Sequence, residues 1–323
     1  MNITFVNLPE ELATGTPRAL KKLHLQQAPD GLQVTVIKGS TANGDPLCVK
    51  RTGDQITIRY PEKIHYFRAL GLLAEQLKKG GDFIIEEIPQ FDTSGVMPDL
   101  SFGSPLNVKG LCKFLDQMAV IGLNMMLLYI EDLYEMPNRP YFGHLRGRYS
   151  PEELRAIDDY AFAYGIEVIP CMQTLGHMAQ YLKWPEAEDV KETHIELNVD
   201  KEETYRFIEE MMIATTSPLR SRRIHVGLDE VWTLGRSPES LKKYGLRSQE
   251  ELFLNHLEKV AAIADRLGLQ PMIWNDFIFC LHSTTGYSKY QEQTTLSPEV
   301  MARFPKNVPN LGILLPKSVF WGA

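Results

Sequence analysis

The chain has 323 residues, 41 acidic against 34 basic, and a net charge of −7, so it carries no basic footprint for nucleic acid. Its length suits one large domain or two unequal ones, and no apolar run approaches a membrane span. Residues 1–10 have neither a basic start nor a long apolar stretch, so no signal peptide is expected. Cys48, Cys112, Cys171 and Cys280 are too far apart for a zinc or redox motif and sit among apolar neighbours. The expectation is a cytoplasmic protein with reduced core cysteines.

Residues 1 to about 90 read as a unit of their own. Segments 32–37 and 55–60 alternate as strands do, with Gly53-Asp54 as a turn between a strand pair. Residues 65–79 then place Phe67, Leu70, Leu73, Ala74 and Leu77 on one helical face, and Gly80-Gly81 stops that helix. The pattern predicts a small α+β domain over 1–90.

From Gly95 onward a regular alternation begins, and 91–323 reads as a second domain. A helix over 107–121 stops at Gly122 and leads to the apolar run 125–130. Ser150, Pro151 and Glu153 open a helix that ends at Gly165 before a strand over 168–172. Asp200 with Glu203 opens a third helix, which leads to the strand 223–228. Ser248 with Glu251 opens a fourth, which ends at Gly268 before 271–274. Ser297-Pro298 starts a shorter helix before a last strand over 311–315.

Helix, stop and buried strand in repetition imply βα units around a parallel sheet. Polar side chains follow strand after strand: Asp99, Glu131-Asp132, Gln173 to His177, Asp229-Glu230 and Asn275-Asp276. That ring favours a (β/α)8 TIM-type barrel over a doubly wound sheet, which would show a glycine-rich phosphate loop after its first strand. Six strands are legible from Val96, where a closed barrel needs eight. The expectation is a barrel truncated after about six strands, or one completed by another chain as a homodimer, because open sheet edges invite pairing.

In 223–228, Ile224, Val226 and Leu228 alternate with His225, Gly227 and Asp229, and the strand tip carries Asp229-Glu230. Adjacent carboxylates suit acid/base work on a glycosidic bond, one protonated and one ionised. They serve equally as an ion pair or a helix cap. His177 could hold a carboxylate or simply fill the core. A metal on His177, His225 and the acids is a weaker alternative, because no His-Glu-x-x-His spacing is present. Asp276, Arg146 and Arg148 are further polar candidates, the arginines equally a solvated loop. Tyr129, Tyr134, Trp184, Trp232 and Trp274 could stack on sugar faces or pack in the core.

His225-x-Gly227-x-Asp229-Glu230 resembles the hallmark of family 20 of the glycoside hydrolases, the β-N-acetylhexosaminidases. Segment 91–97 resembles the first barrel strand of that family, Tyr129-Ile130-Glu131-Asp132 the second, Gln173 to His177 the third and Trp274-Asn275-Asp276 the tip of the fifth. The branch it resembles is the intracellular bacterial type with relatives in animals, and the N-terminal unit resembles the α+β domain preceding the barrel there. The resemblance implies an exo-acting, substrate-assisted, retaining hydrolase of N-acetylhexosamine-terminated glycans, with neither cofactor nor metal. It assigns Glu230 as general acid and base, and Asp229 as the group that holds the substrate's 2-acetamido N–H. Asp132 and His177 would tune Glu230, and Trp274 would wall the acetamido methyl. Glu131, His225 and Asp276 fall among the supporting positions.

Two departures stand beside the likeness. Segment 91–95 lacks the arginine that family members place before the first strand, and Ser101-Phe102-Gly103 stands where another would be usual. Pro98 interrupts the first strand. Trp321 is the candidate for a sixth-strand aromatic.

Overall fold

The computed structural model describes residues 1–103, 105–282 and 295–308. Two compact units alternate along the chain. Met1–Pro98, Leu106–Leu127 and Glu152–Val168 form one, and Asp99–Pro105, Leu128–Pro151 and the described residues from Ile169 onward form the other.

The first unit holds a mixed six-stranded sheet built from β1 (Asn2–Phe5), β2 (Gln26–Gln27), β3 (Leu32–Lys38), β4 (Leu47–Thr52), β5 (Gln55–Tyr60) and β6 (Phe83–Glu87), in the order β2-β1-β3-β5-β4-β6. The expected segments 32–37 and 55–60 are β3 and β5, and they pair in parallel. The turn at Gly53-Asp54 joins β5 to β4, a strand the alternation did not reveal, in antiparallel register. Val34, Val36, Val49, Ile56 and Ile58 are buried, as are Phe67, Leu70, Leu73 and Leu77 of the helix α1 (Lys63–Lys79). A Cβ on Gly71 would collide with the carbonyl oxygen of Val120 in α2 (Val108–Ile121), so the two helices approach as only glycine permits. Tyr160 and Tyr164 donate their hydroxyls to Asp116 of α2 at 2.8 and 2.6 Å.

A second sheet is wholly parallel. It contains β7 (Gly95–Val96), β8 (Met125–Tyr129), β9 (Glu167–Cys171), β10 (Arg223–His225) and β11 (Gln270–Met272), in the order β11-β10-β9-β8-β7. Pro98 cannot donate to a ladder, and β7 is only two residues long. The expected strand 223–228 is cut short at His225, because Gly227 and Leu228 both turn to φ 75° and lead the chain out of the ladder. The residues from Ile224 to Leu228 are all buried, so the alternation read from the sequence is not an alternation of burial. The expected strand 311–315 and Trp321 lie outside the described residues.

Helix starts follow the sequence signals closely. Asn107 caps α2 by accepting from Gly110 N at 2.9 Å, and Gly122 at φ 87° ends it. Helix α3 spans Pro151–Phe162, as the Ser150-Pro151 signal predicts. Helix α4 (Glu202–Thr216) differs: Asp200 does not cap it but forms a two-point pair with Arg247 at 2.7 and 2.8 Å. Ser248 caps α5 (Gln249–Arg266) by accepting from Glu251 N at 3.3 Å. No described helix is long and apolar enough to cross a membrane.

Candidate active site

The site lies within the second unit, where β8, β9 and β10 end. Four residues other than glycine adopt left-handed backbone there: Glu131 (φ 43°), His177 (φ 55°), Leu228 (φ 75°) and Glu230 (φ 50°). Such conformations cost about 1–3 kcal/mol each and persist where surrounding contacts over-determine them. Two glycines make the close packing feasible. A Cβ on Gly227 would run into the side-chain amide of Gln173, and one on Gly176 would sit 3.0 Å from the Asp229 carbonyl oxygen and 2.9 Å from Val231. The loop bearing His177 is thus laid directly against the turn bearing the two acids.

Asp229 and Glu230 are neighbours in sequence but live in different surroundings. The Asp229 side chain is 17% exposed, and its Oδ1 accepts from Gln173 Nε2 at 3.0 Å. Its Oδ2 lies 3.2 Å from His177 Nε2, a close ionic contact rather than an aligned hydrogen bond. Burial pushes the Asp229 carboxyl up, but His177 and Gln173 outweigh it and hold the group below the usual carboxylate value. The Glu230 side chain is 45% exposed, with Oε2 at 3.6 Å from His177 Nε2. The nearby Asp229 carboxylate raises the proton affinity of His177, burial opposes this, and Glu131 and Glu230 add to the rise.

A second acidic cluster follows β8. Tyr129 Oη accepts from Gln173 Nε2 at 3.0 Å and donates to Glu131 Oε1 at 3.2 Å. A hydrogen-bonded chain therefore runs from Glu131 through Tyr129 and Gln173 to Asp229. Burial lifts the Glu131 carboxyl to about 7, with His177 and Tyr129 acting against the rise. Asp132 is deeply buried and accepts from Arg146 Nε at 2.9 Å. Burial raises its proton affinity and Arg146 offsets part of the rise. The same guanidinium donates from Nη2 to the Ser101 carbonyl at 2.8 Å and lies 3.8 Å from Glu131. Arg146 is therefore a structural link between the loop after β7 and the long loop after β8, whereas Arg148 donates to the carbonyls of Pro140 and Phe142.

The expected partners are thus distributed differently. His177 gathers Asp229 and Glu230, while Asp132 is paired with Arg146. His225 is buried, pushed down to about 4 by desolvation, and accepts from Gly227 N through Nδ1 at 3.2 Å. It is a neutral support for the acid turn and stacks obliquely on Trp274, ring centroids 4.6 Å apart. Trp274 N donates to the Gly227 carbonyl at 3.0 Å, and Asp276 is the first residue of the short helix Asp276–His282. Tyr134 is fully buried against Phe142 and belongs to the core. Trp232 is exposed, and Trp184 packs with Tyr141 and His144. Among the described residues no group of three or more His, Cys, Asp or Glu is arranged to hold a metal ion.

Gln173 and the Tyr129 hydroxyl are the main site groups that motif reading left without a role. Their signal was position alone: each stands at or just past a strand end beside named candidates.

Comparison with known proteins supports one family. Residues 94–297 match the model of the glycosyl hydrolase family 20 catalytic domain. Hexosaminidase D of Bos taurus is 32% identical over 190 residues, covering 54% of this chain and 53% of that protein. Hexosaminidase D of Homo sapiens is 30% identical over 190 residues, covering 54% and 38%. The chain thus spans about half the length, or less, of the curated relatives it matches. In fold it resembles the β-N-acetylhexosaminidase of Bacteroides fragilis, with TM-score 0.70, 17% identity, and coverage of 95% of this chain and 65% of that one. The likeness to the exo β-N-acetylglucosaminidase of Vibrio harveyi has TM-score 0.69 and 19% identity, covering 92% and 52%.

Proposed function

This chain belongs to glycosyl hydrolase family 20, and on that premise we propose that it is an exo-acting β-N-acetylhexosaminidase that removes terminal N-acetylglucosamine or N-acetylgalactosamine with retention. The observation that carries the reading is the unlike setting of two adjacent carboxylates. Asp229 is enclosed and kept ionised by Gln173 and His177; Glu230 is nearly half exposed and free to reach a ligand.

In this mechanism Glu230 gives its proton to the glycosidic oxygen as the bond to C1 breaks. The substrate's own acetamido oxygen attacks C1 from the opposite face, so no enzyme nucleophile is used. Asp229 accepts the acetamido N–H and stabilises the positive oxazolinium ion. Water then opens that ring as Glu230 takes its proton back. Trp274, propped by His225, walls the acetamido methyl.

The accompanying fold reading is a small α+β domain over 1–90 and, over 91–323, a (β/α)8-type barrel truncated after about six strands, of which the parallel sheet is a part. The likeness to solved family 20 enzymes supports it. The unpaired cysteines support a cytoplasmic setting. The likeness to hexosaminidase D of Bos taurus and Homo sapiens supports kinship with a branch that has relatives in animals.

Hydrolysis of a chromogenic β-N-acetylglucosaminide and of its galacto epimer tests the reading. Turnover that Glu230→Gln abolishes is expected, and Asp229→Asn should erase selectivity for the 2-acetamido group. Full turnover by Glu230→Gln would sink the assignment. Sugar binding without turnover in the native protein would point to a lectin-like relative.

A further inference from the structure

Glu196 has no exposed surface, yet its hydrogen-bond donors are neutral. Thr233 N donates to Oε1 at 2.9 Å, Thr233 Oγ1 to Oε2 at 2.6 Å, and Thr193 Oγ1 to Oε2 at 3.2 Å. A carboxylate taken out of water is costly unless its oxygens are bonded, and in a low-dielectric setting such bonds are strong and rigid. Thr233 stands three residues after Glu230. Trp232 and Thr233 are exposed between the buried Val231 and Leu234, and Glu196 ties Thr233 through both its backbone and its side chain.

The segment around Glu196 also grips the other side of the site. Leu197 N donates to the Leu175 carbonyl at 2.9 Å, and Met178 N donates to the Ile195 carbonyl at 3.0 Å. Those two bonds bracket His177. One short segment therefore holds the chain on both sides of His177 and, through Glu196, just beyond Glu230. Both of those side chains leave left-handed backbone, whose strain requires such outside restraint.

We propose that Glu196 is a positioning residue that keeps Glu230 beside His177, an inference that rests on the function proposed above. Glu196 touches no substrate; it acts through Thr233. Loss of the bond lets the Glu230 carboxylate drift from its place, which lowers turnover more than substrate binding.

The test uses Glu196→Gln and the milder Thr233→Val, with Thr233→Ser as the restoring variant, all in the full chain. Misplacement by about 1 Å costs about 100-fold, so kcat on the chromogenic N-acetylglucosaminide should fall by roughly 10- to 100-fold. KM should change little, and Thr233→Ser should recover most of the loss. A second readout needs no turnover: titration of the His177 ring by NMR. His177 faces Asp229, Glu230 and Glu131, so Glu230→Gln sets the fall in its proton affinity caused by losing that one neighbour. Thr233→Val should reproduce part of the fall in the native background and none in the Glu230→Gln background. Folded variants with native kcat, or with an unchanged His177 titration, overturn the proposal. A native protein without turnover would defeat the functional reading, while the titration would still decide the role of Glu196.

Discussion

Gln173 Nε2 lies 3.0 Å from Asp229 Oδ1, so the side chain that follows β9 holds the carboxylate that follows β10. The same nitrogen meets Tyr129 Oη at 3.0 Å, and Gly227 leaves the room for this amide to enter. Three strand ends are thereby locked to one another through one amide group.

Gln173→Met should keep the volume of that side chain and remove the donor. A hydrogen bond to a charged group contributes about 1.5–3 kcal/mol, so kcat/KM on an N-acetylglucosaminide should fall by roughly 10- to 100-fold. The same variant should raise the proton affinity of Asp229, because one of the groups holding it down is gone. An unchanged acid limb in the pH–rate profile would contradict this.

Gly227→Ala should be among the most damaging single-methyl changes in the chain. It combines a left-handed backbone at φ 75° with a collision against Gln173. A cost of about 1–3 kcal/mol should appear as a lower thermal midpoint, with Asp229 displaced as well. Gly44→Ala, at φ 66° but in open space, separates backbone strain from collision and should cost less.

Arg146→Met should leave the buried Asp132 carboxylate without its cation. Breaking a buried pair from one side costs about 3–5 kcal/mol, measured as a loss in denaturant midpoint. Removing the cation also raises the Asp132 proton affinity further, since burial already pushes it up. Adding Asp132→Asn to Arg146→Met should recover stability. If the double variant is no better than the single one, the Arg146–Asp132 pair is not what holds these loops.

The pH dependence of stability has a sign that differs from group to group. His177 is held above its unfolded value near 6.5, so its contribution is full below that pH and is lost as pH rises through the folded value. Glu131, lifted from 4.5 to about 7, binds more protons folded than unfolded between those values, and its stability contribution also falls with rising pH. Asp229, held below 3.8, contributes above that pH and loses its contribution as pH falls through its lower folded value. His225 and His256, both pushed down from 6.5 to about 4 by burial, bind fewer protons folded than unfolded and oppose this below pH 6.5, so stability should decline only from about pH 6.5 to pH 8. Each group supplies at most about 1.4 kcal/mol per pH unit. Glu131→Gln removes a downward contribution and should therefore shift the slope between pH 5 and 7 toward rising stability, which urea titrations at several pH values would show.

Much of the helical framework was legible because its signals are local. Asn107 before an apolar helix, Pro151 at a helix start and Gly122 at a stop are governed by backbone groups within a few residues. The mixed sheet of the first unit was read less fully. Strand β1 is four residues long, and β4 shows its pairing only beside β5 and β6, partners that a linear pattern does not display. The Asp200 signal pointed to a cap, but a two-point arginine 47 residues away competes better for that carboxylate.

The sequence by itself determined which chemistry is on offer: Asp229-Glu230 after a buried segment, His177 and Asp132 after earlier strands, and Trp274-Asp276 after a later one. Residue type and order survive any folding. Only the tertiary structure decided who meets whom, placing Asp132 on Arg146, His177 between two carboxylates, Gln173 under Asp229 and Glu196 behind the turn. Those choices rest on distances across strands and on which carboxylates are dried by their neighbours. The proton affinity of Glu131 or Asp229 is a property of that enclosure, and a linear chain has none.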